Sequence, residues 1–365
     1  MSGDVLSDLL RAVRLRGAVF FYLKAADPWV AEAPPTREII AAIMPGADAM
    51  IPFHCIAQGS CWAAICGETP VRLEEGDVIL FPHGDAQVIS SAPGLRGRQE
   101  DFGIYFAPRP PQLPFSISIG GEGGTTARLD GGGPEHTTIV CGFLACDARP
   151  FNPLLAALPR VLRMPGLASG RATWIGHLLD SAVDESNHQR PGGEAVLERM
   201  SEMMFVEVLR RYLDGLAPGQ TGWLAGMRDP GVGRALSLMH ERPAEDWTLE
   251  LLGEESGLSR SVLHERFVQF LGLPPMQYLG QWRIQLGAGR LRDTDAKVLD
   301  IALDVGYESE AAFSRAFKRL VGVPPGEWRR AHLAQPGGRP DPEPRPASVN
   351  GRTQGPRPTP PRLSS

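Results

Sequence analysis

Long apolar runs are missing from this sequence. No stretch approaches the roughly 20 consecutive apolar residues that a membrane-spanning helix needs, so no membrane segment is expected. The opening MSGDVLSDLLRAVRLRGAVFF is amphipathic and carries acids. It has neither the apolar core nor the small-residue cleavage site of a secretory leader, and a cytoplasmic location is expected. Cysteine is scarce, with five in 365 residues at positions 55, 61, 66, 141 and 146. An odd number without a C-x-x-C pair excludes a secreted disulfide scaffold and provides no strong zinc spacing. A surplus of positive charge is also missing. Lys and Arg total 37 against 42 Asp and Glu, a net charge of −5. That excludes a chain coated for non-specific nucleic-acid binding, though not a small groove-reading module inside it.

The residues that are present divide the chain. With 365 residues, 42% of them hydrophobic, two domains with two ordinary cores are expected. From Gly17 to about Asp147 the runs AVFFYLK, AMIPFHCI, CWAAIC, DVILFP, AQVISS, EDFGIYF and HTTIVCGFLAC are short and separated by Gly and Pro. They predict antiparallel strands of a sandwich or small barrel. In LEEGDVILFPHGDAQ, Gly76-Asp77 turns the chain, Val78 to Phe81 form a strand, and Pro82 to Asp85 turn it again. The stretch GGEGGTTARLDGGGP at 120–134 is a flexible loop by composition.

After Pro150 the period becomes helical. PLLAALPRVLRM is a short apolar stretch between prolines, and 171–187 and 193–214 predict two amphipathic helices. In the second, Val196, Met200, Met203, Met204 and Leu209 form an apolar stripe. The stripe suits a core position or a face shared with a second subunit, and both readings stand. Beyond Ala331 the chain is dense in proline and poor in large apolar residues. It is expected to be a disordered, solvated tail.

One supersecondary pattern occurs twice. SGLSRSVLHERFVQFLGLPPMQYL and VGYESEAAFSRAFKRLVGVPPGEW align with an offset of fifty. Phe267 meets Phe317, Gly272 meets Gly322, Pro274-Pro275 meets Pro324-Pro325, and Tyr278 meets Trp328. Each copy reads as helix, tight turn, helix. Thr248, Ser259 and Ser309 are expected N-caps, and Gly257 and Gly306 are expected to end the first helix of each pair. Leu263 and Phe267 face one core, and Ala312, Phe313, Ala316, Phe317 and Leu320 the other. Two short helices joined at a glycine describe a helix-turn-helix. The outward faces carry Arg260, Ser261, His264, Glu265 and Gln269 in the first copy, and Glu310, Ala311, Ser314, Arg315, Lys318 and Arg319 in the second. Arg can pair with guanine, Ser and His add hydrogen bonds, and Ala can touch a thymine methyl. Lys318 and Arg319 suit phosphates, which position a helix without reading sequence. The helical stretch PPMQYLGQWRIQLGAGRLRDT between the copies would hold the two readers apart. At a spacing of about 34 Å both enter successive major grooves on one side of a duplex.

The run from Trp247 to Trp328 resembles the DNA-binding domain of AraC/XylS-type transcriptional regulators, on the motifs IALDVGYESEAAFSRAFKRLVGVPPGEWR and LSRSVLHERFVQFLGLPPMQYL. The resemblance implies seven helices, two helix-turn-helix units and a long linker helix. It puts base contacts on Ser261, His264 and Glu265, and on Glu310, Ala311, Ser314 and Arg315. Glu265 and Glu310 depart from the family's usual polar or basic residues. An acid can accept from cytosine N4 but also repels phosphate. The N-terminal half resembles the cupin-type domain of one branch of the same family, on LEEGDVILFPHG and IVCGFLACD. The fold implied is α+β with two domains: a cupin-like β-barrel with a helical extension, then an all-α double helix-turn-helix. The divisions expected are a sensor domain at 1–150, a helical dimerisation region at 151–225, the DNA-binding domain at 226–333 and the tail at 334–365. The function implied is a sequence-specific regulator, an activator, controlled by an effector or signal at the barrel. Its partners would be promoter DNA, RNA polymerase, a small-molecule effector and a second copy of the chain, with no cofactor.

A catalytic cupin site is not expected. Gln87 stands where the motif's later metal-binding His would be, and no His-x-His occurs near 46–52. His54, Cys61 and Cys141 are the candidates if a metal cluster exists, although strand cysteines are more often small buried hydrophobes. Strand alternation puts His54 and Ile56 on one face and Cys55 on the other. A metal- or thiol-sensing regulator is the alternative reading, and a cupin metalloenzyme on a helical scaffold a more distant one.

Overall fold

The computed structural model describes residues 4–97, 99–106, 115–120, 137–167, 174–177, 181 and 191–333. The loop at 121–134, most of the helix expected at 171–187 and the tail from 334 lie outside the described residues.

Alternation builds the N-terminal half. Among the described residues ten strands run β1 (Arg16–Ala26), β2 (Val30–Ala33), β3 (Ala49–Gln58), β4 (Ser60–Ile65), β5 (Val71–Glu74), β6 (Val78–Leu80), β7 (Gln87–Ser90), β8 (Phe115–Gly120), β9 (Thr137–Cys146) and β10 (Leu162–Met164). They form a six-stranded sheet in the order β10-β6-β3-β9-β1-β8 and a four-stranded sheet in the order β2-β7-β4-β5. The β1–β8 pair is parallel and the others are antiparallel. Leu23, Ile56, Cys61, Ile79, Ile89 and Ile139 meet between the sheets in one apolar core. The alternate residues Tyr22, Phe53, Cys55, Val140 and Leu144 leave the opposite face of the larger sheet apolar, and it packs on helices.

Those helices are α1 (Val5–Ala12), α3 (Pro153–Ala157) and α4 (Gly193–Asp214), while α2 (Thr36–Ile43) packs on the other face of that sheet against Met50, Phe143 and Ala145. Helix α4 lies so close to β1 that a Cβ on Gly17 would sit 2.0 Å from the Ser201 hydroxyl and 2.3 Å from the Glu198 carbonyl. The apolar stripe of α4 divides. Met200, Met204 and Leu209 are buried, whereas Val196 and Met203 are 49% and 51% exposed.

Two local expectations fail. EDFGIYF forms a 3₁₀ turn over Gln99–Tyr105 and not a strand. Its Phe102 and Tyr105 are three apart, the period of that turn, and Gly103 between them is a poor strand former. PLLAALPRVLRM splits into α3, capped by Asn152, and β10, which pairs with β6. Asp77 clasps that strand, accepting from Arg163 at 2.7 Å and from the Gly166 N–H at 2.9 Å.

The C-terminal half is helical: α5 (Trp223–Arg228), α6 (Pro230–Glu241), α7 (Leu249–Ser256), α8 (Arg260–Leu271), α9 (Pro275–Asp293), α10 (Val298–Asp304), α11 (Glu310–Val321) and α12 (Pro325–Leu333). The last seven of these match the number of helices expected for the DNA-binding domain. No helix among the described residues is long and apolar enough to cross a membrane.

Candidate nucleic-acid interface

Each repeated unit is closed by the residues its sequence offers. The Thr248 hydroxyl accepts from the Leu251 N–H at 3.1 Å, Ser259 from Val262 at 3.3 Å and Ser309 from Ala312 at 3.2 Å. Gly257 and Gly306 adopt φ of 73° and 90°, the left-handed geometry that turns the chain between the paired helices. Leu263 and Phe267 of α8, and Phe313 and Phe317 of α11, are fully buried. Leu320 was expected in the second stripe but is exposed, because Phe313 and Phe317 already fill the interior face and Leu320 falls at its rim. The duplication extends to ring geometry. Tyr278 packs edge-on against Phe267 at 5.7 Å and 75°, and Trp328 against Phe317 at 6.0 Å and 73°.

Arg283, which the sequence reading did not single out, braces the two units together. From α9 it donates to the Pro243 and Glu245 carbonyls at 2.7 Å and to the Gly306 carbonyl at 2.8 Å. The first two belong to the α6–α7 connection and the third to the turn of the second unit. Burial lowers its pKa from the ordinary arginine value, the cost of holding a guanidinium inside the seam. Its signal in the sequence was only an arginine in an otherwise apolar part of a helix.

The outward residues lie where the repeat placed them. Arg260, Ser261, His264, Glu265 and Gln269 on α8 are exposed, as are Glu310, Ala311, Arg315, Lys318 and Arg319 on α11, and Ser314 is half-buried. Their electrostatics differ. Arg260 is paired with Glu250 at 2.7 Å and Arg266 with Asp229 at 3.2 Å. Arg315, Lys318 and Arg319 make no ion pair among the described residues.

The first unit also has a buried polar chain. The Trp223 Nε1–H donates to the Tyr278 oxygen at 2.9 Å, so the Tyr278 O–H is directed to His240 Nε2 at 2.8 Å. His240 stacks on Trp282 at 3.9 Å, and burial pushes its pKa down to about 3. It is therefore neutral, with its proton on Nδ1, which has no hydrogen-bond partner.

A second polar cluster joins the two halves. The Asp147 side chain, 6% exposed at the end of β9, accepts from Arg14 Nε at 3.1 Å and from Arg292 Nη1 of α9 at 2.8 Å. The Asp147 N–H donates to the Val13 carbonyl at 2.7 Å. Gln285 of α9, 2% exposed, accepts from the Phe151 N–H at 2.9 Å and donates to the Ala12 carbonyl at 3.0 Å. Phe151 packs edge-on against Tyr278 at 5.3 Å. A cavity of ≈ 240 Å³ lies beside this joint, lined in part by Arg14, Gln285, Arg290 and Arg292.

Inside the barrel, His54 and Cys141 face each other across β3 and β9, with Nδ1 3.0 Å from Sγ. His54 and Ile56 point into the core between the sheets and Cys55 points away, as alternation requires. Burial lowers the His54 pKa to about 4, opposed slightly by the nearby Gln87 amide. Neither His54 Nε2 nor Gln87 Oε1 completes a hydrogen bond. Cys61 shares the core, but no group of three or more His, Cys, Asp or Glu among the described residues could hold a metal ion. All five cysteines are free. Burial pushes the Cys55, Cys61 and Cys146 thiols up to about 12, Cys66 to about 11 and Cys141 well above its ordinary value.

Comparison with known proteins agrees with this geometry. A family model described as Cupin matches residues 4–214, and one described as Helix-turn-helix domain matches residues 252–331. A putative AraC-like transcription regulator of Streptomyces lividans is 30% identical over 328 residues, 90% of this chain and 98% of that protein. One from Streptomyces antibioticus is 31% identical over the same shares. The HTH-type transcriptional regulator AlkR of Acinetobacter baylyi is 26% identical over 90% of this chain and 99% of its own length.

Proposed function

Because this chain belongs to the AraC family of DNA-binding transcriptional regulators, we propose that it reads two adjacent major grooves with α8 and α11 under the control of a signal received in its barrel. The observation that carries this reading is the duplicated unit. Its caps, left-handed glycines and edge-on aromatic pairs recur in both copies, and its polar faces are free of the core. Ser261, His264 and Glu265 on α8, and Glu310, Ala311, Ser314 and Arg315 on α11, are assigned to base edges. Lys318 and Arg319 are assigned to phosphates, and Arg260, paired with Glu250, lies at the start of the α8 DNA-facing surface.

The barrel acts as a sensor and not as an enzyme. Two of its interior polar atoms, His54 Nε2 and Gln87 Oε1, lie near one another in an apolar core without completing a hydrogen bond. That environment suits a small, largely apolar effector with one hydrogen-bonding group better than a charged one. High thiol pKa values oppose thiolate chemistry at neutral pH, which speaks against thiol sensing. The exposed Val196 and Met203 of α4 offer an apolar face for a second copy of the chain, and the assembly works in the cytoplasm. The joint at Asp147 and Gln285 carries the signal, since it binds the end of the barrel to the linker helix that holds both readers.

Selection of duplexes from a random pool by the full chain tests the reading. Two conserved segments about one helical turn apart are expected. Recovery of no preferred sequence at low or high salt would end it.

A further inference from the structure

The duplicated unit is not duplicated in charge. With α8 laid on α11 from their serine N-caps, Arg260 meets Glu310, Ser261 meets Ala311, His264 meets Ser314 and Glu265 meets Arg315. The sign is reversed at two of these four positions. One turn further on, Val268 and Gln269 of α8 meet Lys318 and Arg319 of α11. Both cations of α8 are also engaged, Arg260 with Glu250 and Arg266 with Asp229. The three cations of α11 make no ion pair among the described residues, and all three are exposed.

We propose, on the basis of the two-groove reading above, that the two units divide their work: α11 anchors the chain on DNA through Lys318 and Arg319, and α8 discriminates through Glu265, which selects cytosine. Several physical points lead there. A helix in the major groove passes between two phosphate strands, so cations in its later turns meet backbone. Each neutralised phosphate contributes about one unit to the slope of log affinity against log salt. Helix α11 has two such cations beyond its reading turn, whereas the one in α8, Arg266, is held by Asp229. At the shared reading position α11 carries Arg315, whose guanidinium matches guanine O6 and N7. Helix α8 carries Glu265, which can only accept, and cytosine N4 is the major-groove donor it suits. Glu265 also repels phosphate wherever the fit is wrong, so it weakens non-cognate binding as well as favouring the cognate base. The two half-sites should therefore form an imperfect direct repeat, with guanine at the position read by Arg315 and cytosine at the equivalent position read by Glu265.

The test uses the full chain and duplexes selected by it. Lys318→Gln with Arg319→Gln is expected to weaken binding to cognate and random duplexes alike, and to reduce the salt slope by about two. Glu265→Gln is expected to tighten binding to random duplexes while removing the cytosine preference, and Glu265→Arg to replace it with guanine. All these side chains are exposed, so the variants are expected to fold, which circular dichroism checks. Retention of the cytosine preference in Glu265→Gln overturns the proposal. So does a base-specific loss with an unchanged salt slope in the Lys318, Arg319 variant. If the unaltered chain selects no sequence at all, the two-groove reading itself fails and the proposal falls with it. If the chain selects two half-sites and Glu265→Gln changes nothing, only the division of work fails.

Discussion

In the N-terminal half, His54 Nε2 and Gln87 Oε1 are among the buried polar atoms with no completed hydrogen bond, sealed between two sheets. In the C-terminal half, three cations with no ion pair among the described residues, Arg315, Lys318 and Arg319, stand in solvent on one helix. The buried chain of the second half is instead linked from Trp223 through Tyr278 to His240, and only its far end, His240 Nδ1, is without a partner. The difference suits the two tasks. A reader must present groups that DNA can reach without unfolding anything, and a sensor must hold groups that only an entering molecule can satisfy. Between them lies a joint whose charges are both buried and paired.

The largest effect is expected at that joint. Asp147→Ala leaves Arg292, 10% exposed, with only the exposed Asp293 carboxylate at 3.1 Å, and loss of the buried partner of a pair costs about 3–5 kcal/mol. Thermal unfolding should then separate into two transitions, one for each half. A single cooperative transition at the original temperature would show that the halves do not depend on this contact. Arg283→Met removes the three hydrogen bonds between the units. A loss of about 3 kcal/mol in stability is expected, with weaker binding to the double site and little change for a single half-site. Equal losses on both would mean that Arg283 supports the fold and not the spacing.

Arg315→Ala should cost about 1–3 kcal/mol of affinity and relax the preference at one base pair if the guanidinium is bidentate to guanine. Unchanged affinity and preference would remove it from the reading set. Acid should act on both halves through their buried imidazoles. His240 and His54 titrate near 3 and 4 in the folded chain, below the ordinary value of 6.5. The unfolded chain therefore binds more protons between those limits. The stabilisation is fully present above about pH 6.5 and is lost as pH falls toward 4, by about 1.4 kcal/mol per pH unit for each group. Chemical denaturation across this range measures it, and His240→Gln should flatten the curve.

Much of the C-terminal half was legible because its signals are local. A serine cap, a glycine turn and two large apolar residues four apart act within a dozen residues, and a second copy repeated them. Strands were legible where apolar residues alternate, and His54 and Cys55 fell on the faces that period two assigns. The β10 strand was hidden because its partner β6 lies more than eighty residues earlier in the chain. Arg14, Asp147, Gln285 and Arg292 were hidden for the same reason. Each looks like an ordinary solvated residue in its own segment, and only packing of the halves buries them together. The divided stripe of α4 could not be read from periodicity, since its two faces differ only in what covers them.

Hydroxyl-radical footprinting of the full chain on a selected duplex is the most direct test of two-groove reading by one polypeptide. Two protected clusters are expected, about 10 base pairs apart on one side of the helix, with the stronger protection in the half-site of α11. A single cluster, or two on opposite sides of the duplex, would contradict it.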